Sequence, residues 1–215
     1  MNVEIWMDVV CPWCYIGRRR FEKALGEFPG RDGVEVTFRS YELDPHAPYE
    51  PTGNVVQMLS EKYGMSPAEA TLANERVARI AAEEGLEFHL ERARPTNTLD
   101  AHRLLQLAGI RHVRPVVEER FQRAYFAEGA VLADPATLLL LATEAGLAEG
   151  DVRRVLAGQA FTLQVRSDER AAAALGAHGV PFFVIGGTDP VSGAPPADVF
   201  RRSLELAAGS DGDHR

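Results

Sequence analysis

The chain has 215 residues, 46% hydrophobic and 25% charged, a globular composition long enough to bury a core without disulfide staples. Its 31 acidic and 23 basic residues leave a net charge of −8, which argues against a nucleic-acid binder and against docking on an anionic membrane surface. No apolar run reaches membrane-spanning length, and Glu4 and Asp8 interrupt the start where a signal peptide would be basic and then apolar.

A cytoplasmic protein is therefore expected, with no membrane and no nucleic acid among its partners. In that compartment thiols stay reduced, so a cysteine pair points to catalysis or metal binding rather than to a staple.

Residues Val3 to Val9 read as a strand, with Val3, Ile5 and Met7 alternating. A helix is predicted from the segment Cys11-Pro12-Trp13-Cys14 to about Phe28, and Pro29-Gly30 and Asp32-Gly33 mark a turn. Val34, Val36 and Phe38 form a second alternating strand. Strand, helix and strand in about 40 residues make a βαβ unit with parallel strands. The triplet Arg18-Arg19-Arg20 reads as a solvated helix face or, alternatively, as a local basic patch.

From about Gly53 to Leu175 the pattern is helical. Ala73, Val77, Ile80 and Ala81 share a face, and Asn97 is placed to cap a helix holding Ala101, Leu104, Leu105 and Ala108. Pro115 suits a first helical position before Val117, Phe121, Ala124 and Tyr125. Asp134-Pro135 starts another helix that Gly146 stops. A short helix carries Val152, Val155 and Leu156, and a longer one runs from about Gln159 to Leu175.

Strand chemistry returns at Val180-Pro181-Phe182-Phe183-Val184-Ile185. Asp189-Pro190 turns the chain toward a short edge strand at Val191-Ser192. Pro195-Pro196 opens a last helix through Phe200, Leu204 and Leu206. The expected organisation is one α/β domain formed by residues 1–48 and 176–209, a helical insertion at 49–175, and a disordered tail at 210–215.

Cys11 and Cys14 are the only cysteines. An i,i+3 spacing on a helix brings Cα atoms to about 5–6 Å, inside the range of roughly 4.4–6.8 Å that a disulfide accepts. With Cys11 at the N-cap and Pro12 at the first helical position, the amides of Trp13 and Cys14 are expected to point at the Cys11 sulfur. The helix dipole adds to this, and thiols at such positions titrate between roughly 3.5 and 7.5 rather than near 8.5.

Cys11 is thus the expected exposed nucleophile and Cys14 the resolving thiol. Asp8, three residues earlier, either opposes the anion, relays a proton or is a plain turn residue. A zinc site would need two more ligands, and none of the six histidines has a close metal-ligand spacing; no metal is expected. A loop before the third strand lies beside the first helix in this topology. A cis Pro181 there would present the main chain of Val180 to an extended substrate.

The chain resembles the DsbA-like thioredoxin superfamily, in its cytoplasmic FrnE-like branch. The resemblance rests on Asp8-x-x-Cys11-Pro12-Trp13-Cys14-Tyr15-x-Gly17, Tyr41-Glu42-Leu43-x-Pro45, Asn97-Thr98-x-x-Ala101-His102-Arg103-Leu104 and Gly179-Val180-Pro181-Phe182-Phe183-Val184. It implies a thioredoxin fold split by a large helical insertion, with Cys11 attacking, Cys14 resolving and Pro181 cis. Pro12, Trp13, Val180 and Pro181 would line the substrate site.

The chain departs from the family at Gly193-Ala194-Pro195, where Gly-Ala-Gln is frequent. Related 2-hydroxychromene-2-carboxylate isomerases and kappa-class glutathione transferases bind glutathione and usually have serine where Cys11 stands. A surviving groove of that kind would be lined by Asn54 and Val180. His102 reads as a packed core histidine or as a group facing the redox site.

The expected function is thiol–disulfide exchange on a disulfide-containing protein or a small thiol. No bound cofactor is expected, although a low-molecular-weight thiol could serve as cosubstrate. The alternatives are a thiol-dependent isomerase or transferase on a small aromatic or polyketide-like substrate, and a non-catalytic chaperone-like binder.

Overall fold

A computed structural model describes residues 1–187 and 190–212, with side chains to residue 209. It divides into two compact units, Met1–Leu43 with Asp168–Arg215, and Asp44–Ser167.

The first unit is built on a four-stranded sheet, β1 (Asn2–Met7), β2 (Glu35–Ser40), β3 (Phe182–Ile185) and β4 (Val191–Ser192), in the order β2-β1-β3-β4. β1 runs parallel to β2, with Ile5 opposite Phe38, and antiparallel to β3, with Ile5 opposite Phe183. Helix α1 (Pro12–Glu27) joins β1 to β2, and helix α9 (Ala197–Gly212) closes the unit.

The period of two in β1 places Val3, Ile5 and Met7 on one face. There they share a core with Phe21 and Ala24 of α1, Phe183 and Ile185 of β3, and Phe200, Leu204 and Ala207 of α9. Phe200 meets Phe183 and Phe21 edge-on, with ring centroids 4.6 and 5.7 Å apart; each buried aromatic of this kind contributes about 1.5–3 kcal/mol. On the opposite face Trp6 packs with Phe182, Ala172 and Ala177, and its indole N–H donates to the Asp168 carbonyl at 2.8 Å.

Three details differ from the sequence reading. β1 stops at Met7 because Asp8 begins a turn. Leu206 is exposed and Ala207 takes the inner position on α9. That choice is tied to Gly186, whose backbone has φ +56 and where an added Cβ would lie 2.6 Å from the Ala207 Cβ. Helical backbone also continues through residues 210–212 of the expected tail, while 213–215, and Asp189 of the expected turn, lie outside the described residues.

The second unit is helical: α2 (Val55–Tyr63), α3 (Pro67–Glu83), α4 (Leu99–Ile110), α5 (Arg114–Arg123), α6 (Pro135–Glu144), α7 (Glu149–Ala157) and the first turns of α8 (Thr162–Ala174). Its starts are written in side chains. Asn54 with Gln57 and Ser66 with Glu69 form reciprocal capping boxes, and the Asp134 carboxylate accepts from the Thr137 amide.

Asn97 precedes the N-cap Thr98 by one residue, yet its side-chain oxygen accepts the Leu99 amide at 2.9 Å. α5 begins one residue before Pro115 and runs into a π-helical turn at Ala124–Glu128, so the helical period expected through Tyr125 breaks there. α8 starts at Thr162 rather than near Gln159 because Phe161 has φ +69, outside the helical region.

Candidate active site

The turn after β1 sets the chemistry. The Asp8 carbonyl accepts the Cys11 amide at 3.2 Å, and the chain then enters α1 with Cys11 as N-cap (φ −87, ψ 115) and Pro12 at the helix start. One turn inside, Cys14 is completely buried. Its sulfur accepts the Asp8 amide at 3.4 Å. The two cysteines are free thiols, and both belong to the apolar cluster around Val3, Ile5 and Phe183.

Two expectations fail at Cys11. The sulfur was expected to be exposed, but the residue is only 3% accessible; its side chain turns inward, with Sγ 3.5 Å from the Val180 carbonyl. Nor does a helix amide hydrogen-bond to it. Cys11 makes no side-chain cap hydrogen bond, and the amides of Cys14 and Tyr15 go to the Cys11 carbonyl at 3.1 and 3.4 Å. The exposed surface of the motif is carried by Trp13, 39% accessible, and the half-buried Pro12.

The Val180–Pro181 peptide is cis. Pro181 approaches α1 at Gly17, where an added Cβ would stand 3.0 Å from the Pro181 Cγ and 3.2 Å from the Ala194 Cβ. The Pro181 carbonyl accepts the Gly193 amide at 2.8 Å, and Arg20 donates to the Ala194 carbonyl at 2.7 Å. Gly17, Arg20 and Ala194 therefore hold the Pro181 loop against the cysteine helix. Sequence reasoning quoted Gly17 and Ala194 without giving them this part.

The arginine triplet is only partly solvated, with Arg19 and Arg20 half-buried. Arg18 is buried, pairs with Glu22 at 2.7 Å and lies over the Phe38 ring. Arg19 pairs with the same Glu22 and covers Tyr15.

Burial is the main cause that pushes the Cys14 thiol well above its ordinary range. Hydrogen bonding and charge interaction with Cys11 add to it, the Asp8 amide opposes it, and the Asp8 charge raises it further. Asp8 is itself buried, and its carboxylate accepts the Leu43 amide at 2.7 Å. It therefore ties the chain after β2 to the cysteine turn, a role that none of the three sequence alternatives included.

Cys11, Cys14, Val180, Pro181, Pro12 and Trp13 thus come together in the first unit. His102, completely buried, and Asn54, the cap of α2, belong to the second. Among the described residues, no group of three or more histidine, cysteine or acidic side chains is arranged to hold a metal, and no helix is long and apolar enough to cross a membrane.

The family model for a DSBA-like thioredoxin domain matches residues 2–205. The chain belongs to that family. The DsbA-like assignment accounts for the mixed sheet of the first unit and for the helical block between its two halves. A probable DsbA oxidoreductase from Streptomyces coelicolor is 47% identical and superposes with a TM-score of 0.92, over 97% of this chain and 90% of that one.

Two further structures share the fold at lower identity. The cytosolic disulfide reductase DsbM from Pseudomonas aeruginosa is 21% identical with a TM-score of 0.63, covering 99% of this DsbA-like chain and 98% of its own. A 2-hydroxychromene-2-carboxylate isomerase is 16% identical with a TM-score of 0.67, and both chains are covered completely.

Proposed function

We propose that this DsbA-like protein is a thiol–disulfide oxidoreductase of the cytoplasmic FrnE-like branch, working on a protein or small-thiol disulfide. The observation that carries this reading is the placement of two free cysteines one turn apart at the start of α1, the first of them beside the Val180 carbonyl.

Cys11 acts as the nucleophile. Its sulfur attacks one sulfur of the substrate disulfide, forming a mixed disulfide and releasing the first thiol. Cys14, on the same helix face, then attacks Cys11 and releases the second thiol. Burial of Cys14 keeps it protonated until the mixed disulfide forms, which prevents it from competing as the first attacker.

Val180 and Pro181 form the wall beside the reacting sulfur. Proline has no N–H to compete there, and the Val180 main chain suits pairing with an extended segment. Pro12 and Trp13 supply the apolar surface at the mouth. With Cys11 only 3% exposed, the substrate must enter between these groups, displacing the Cys11–Val180 contact.

Replacing Cys11 by serine is expected to abolish catalysed reduction of insulin or of a model disulfide. Full activity in that variant would defeat the assignment. The isomerase alternative separates at Cys14, whose loss an isomerase tolerates and a disulfide exchanger does not.

A further inference from the structure

The sheet of the first unit ends on two unlike edges. β4 is two residues long, whereas β2 is six, contains no proline and keeps an unbroken register with β1. A regular outer strand offers its free amides and carbonyls to a chain that lies beside it.

The parallel ladder decides which groups are free. The Glu35 amide donates to the Met1 carbonyl and the Tyr41 amide to the Met7 carbonyl. The period of two therefore turns the main chain of Glu35, Thr37 and Arg39 toward β1, and that of Val36, Phe38 and Ser40 outward. The outward row is closed at both ends. The Ser40 amide donates to the Asp168 carboxylate at 2.9 Å, and the Val34 amide to the Arg31 carbonyl at 3.0 Å. Between them, Val36 and Phe38 make no main-chain hydrogen bond on the outer side among the described residues. The stretch is open to solvent, with Glu35 exposed and residues 36–39 half-buried.

A second copy of β2, laid antiparallel, fits this short row in one register. Val36 lies opposite the partner's Phe38, Phe38 opposite the partner's Val36, and Thr37 opposite the partner's Thr37 on the two-fold axis. Each Val36–Phe38 pair exchanges both of its N–H···O=C bonds. A shift of two residues either way brings in Val34 or Ser40, whose amides are already bonded.

The side chains suit the same register. Glu35 falls opposite the partner's Arg39, in a non-hydrogen-bonded pair where side chains approach most closely. Arg39 pairs with Glu4 at 2.6 Å and with Asp168 at 3.4 Å, yet 39% of its side chain stays accessible. The strand thus reads acidic, apolar, polar, apolar, basic about Thr37, a pattern complementary to itself when reversed.

We propose that β2 is a self-association edge, at which a second copy of this chain pairs antiparallel about Thr37 and joins the two sheets into one.

The test uses the full chain. Sedimentation of the wild-type protein is expected to show a monomer–dimer equilibrium with its midpoint at about 10–100 µM, as for a small transient interface. Glu35→Arg sets like charges opposite each other at both ends of the pairing, and is expected to raise that midpoint about tenfold.

The register is read by cross-linking in a chain whose Cys11 and Cys14 are replaced by serine. Thr37→Cys is expected to give a disulfide-linked dimer under mild oxidation, because residues opposite each other lie within disulfide reach. Glu35→Cys is expected to give none, since its two copies stand about 13 Å apart along the strands.

A wild-type chain that stays monomeric to about 500 µM, fivefold above the top of the expected range, overturns the proposal. So does a dimer indifferent to Glu35→Arg, or one cross-linked as readily through residue 35 as through residue 37.

Discussion

In the first unit two buried thiols carry the chemistry, set among Ile5, Met7, Phe21 and Phe183 and held by weak contacts. The second unit supplies the contrasting case, a buried charge held by several partners. Arg103, 2% exposed, pairs with Asp100 at 2.6 Å and donates to the carbonyls of Val155, Gly158 and Ala160. All three nitrogens of that guanidinium are engaged, and it fixes the connection between α7 and α8. The contrast separates two uses of a buried polar group. A densely bonded one is a fixture, whereas a sulfur with only long, weak contacts can exchange its covalent partner without dismantling the core.

The sharpest way to break this comparison is Arg103→Ala. It removes the arginine donors from the carbonyls of Val155, Gly158 and Ala160 and the cation from a partly buried carboxylate, and is expected to cost about 3–5 kcal/mol in urea unfolding. A loss under 1 kcal/mol would mean that the arginine is not a fixture.

Gly17→Val comes next. The new side chain would collide with Pro181 and Ala194, costing about 1–3 kcal/mol and slowing exchange at Cys11 as the Pro181 loop is displaced. Stopped-flow reduction of a small disulfide reads the second effect, and an unchanged rate would detach Pro181 from the site.

Cys14→Ala is expected to lose only about 1–2 kcal/mol of stability while losing multiple-turnover exchange entirely. Equal damage to stability and to the first chemical step would erase the distinction between the units.

The smallest effect is at Asp134. Hydrogen bonds from the Thr137 hydroxyl and amide hold its carboxyl below the usual value. A lowered folded-state value means that its contribution is present above the unfolded pKa and lost as pH falls through the folded one. Asp134→Ala should therefore cost about 1 kcal/mol at pH 7 and less in acid, read as urea midpoints at both conditions.

Much of this was legible in the residues. Strand periodicity, the C-x-x-C spacing and the helix starts at Asp134-Pro135 and around Pro115 are local signals, and the sheet and helices follow them. The resemblance gave the same fold that the family match shows.

What escaped depends on partners far along the chain. Arg18 looked exposed because nothing local announces Phe38 beneath it. Asp8 looked like a turn residue or a charge near sulfur, since Leu43 is 35 positions away. The inward turn of Cys11 depends on the Val180 carbonyl, 169 positions distant. The π-helical turn at Ala124–Glu128 has no periodic signature in so short a segment.

The division of labour between the sulfurs is tested most directly by trapping. Cys14→Ser protein mixed with one equivalent of a small disulfide should hold a stable adduct, mapped by peptide mass to Cys11, while folded Cys11→Ser protein should take none at Cys14. Equal or faster modification of Cys14 would contradict the account.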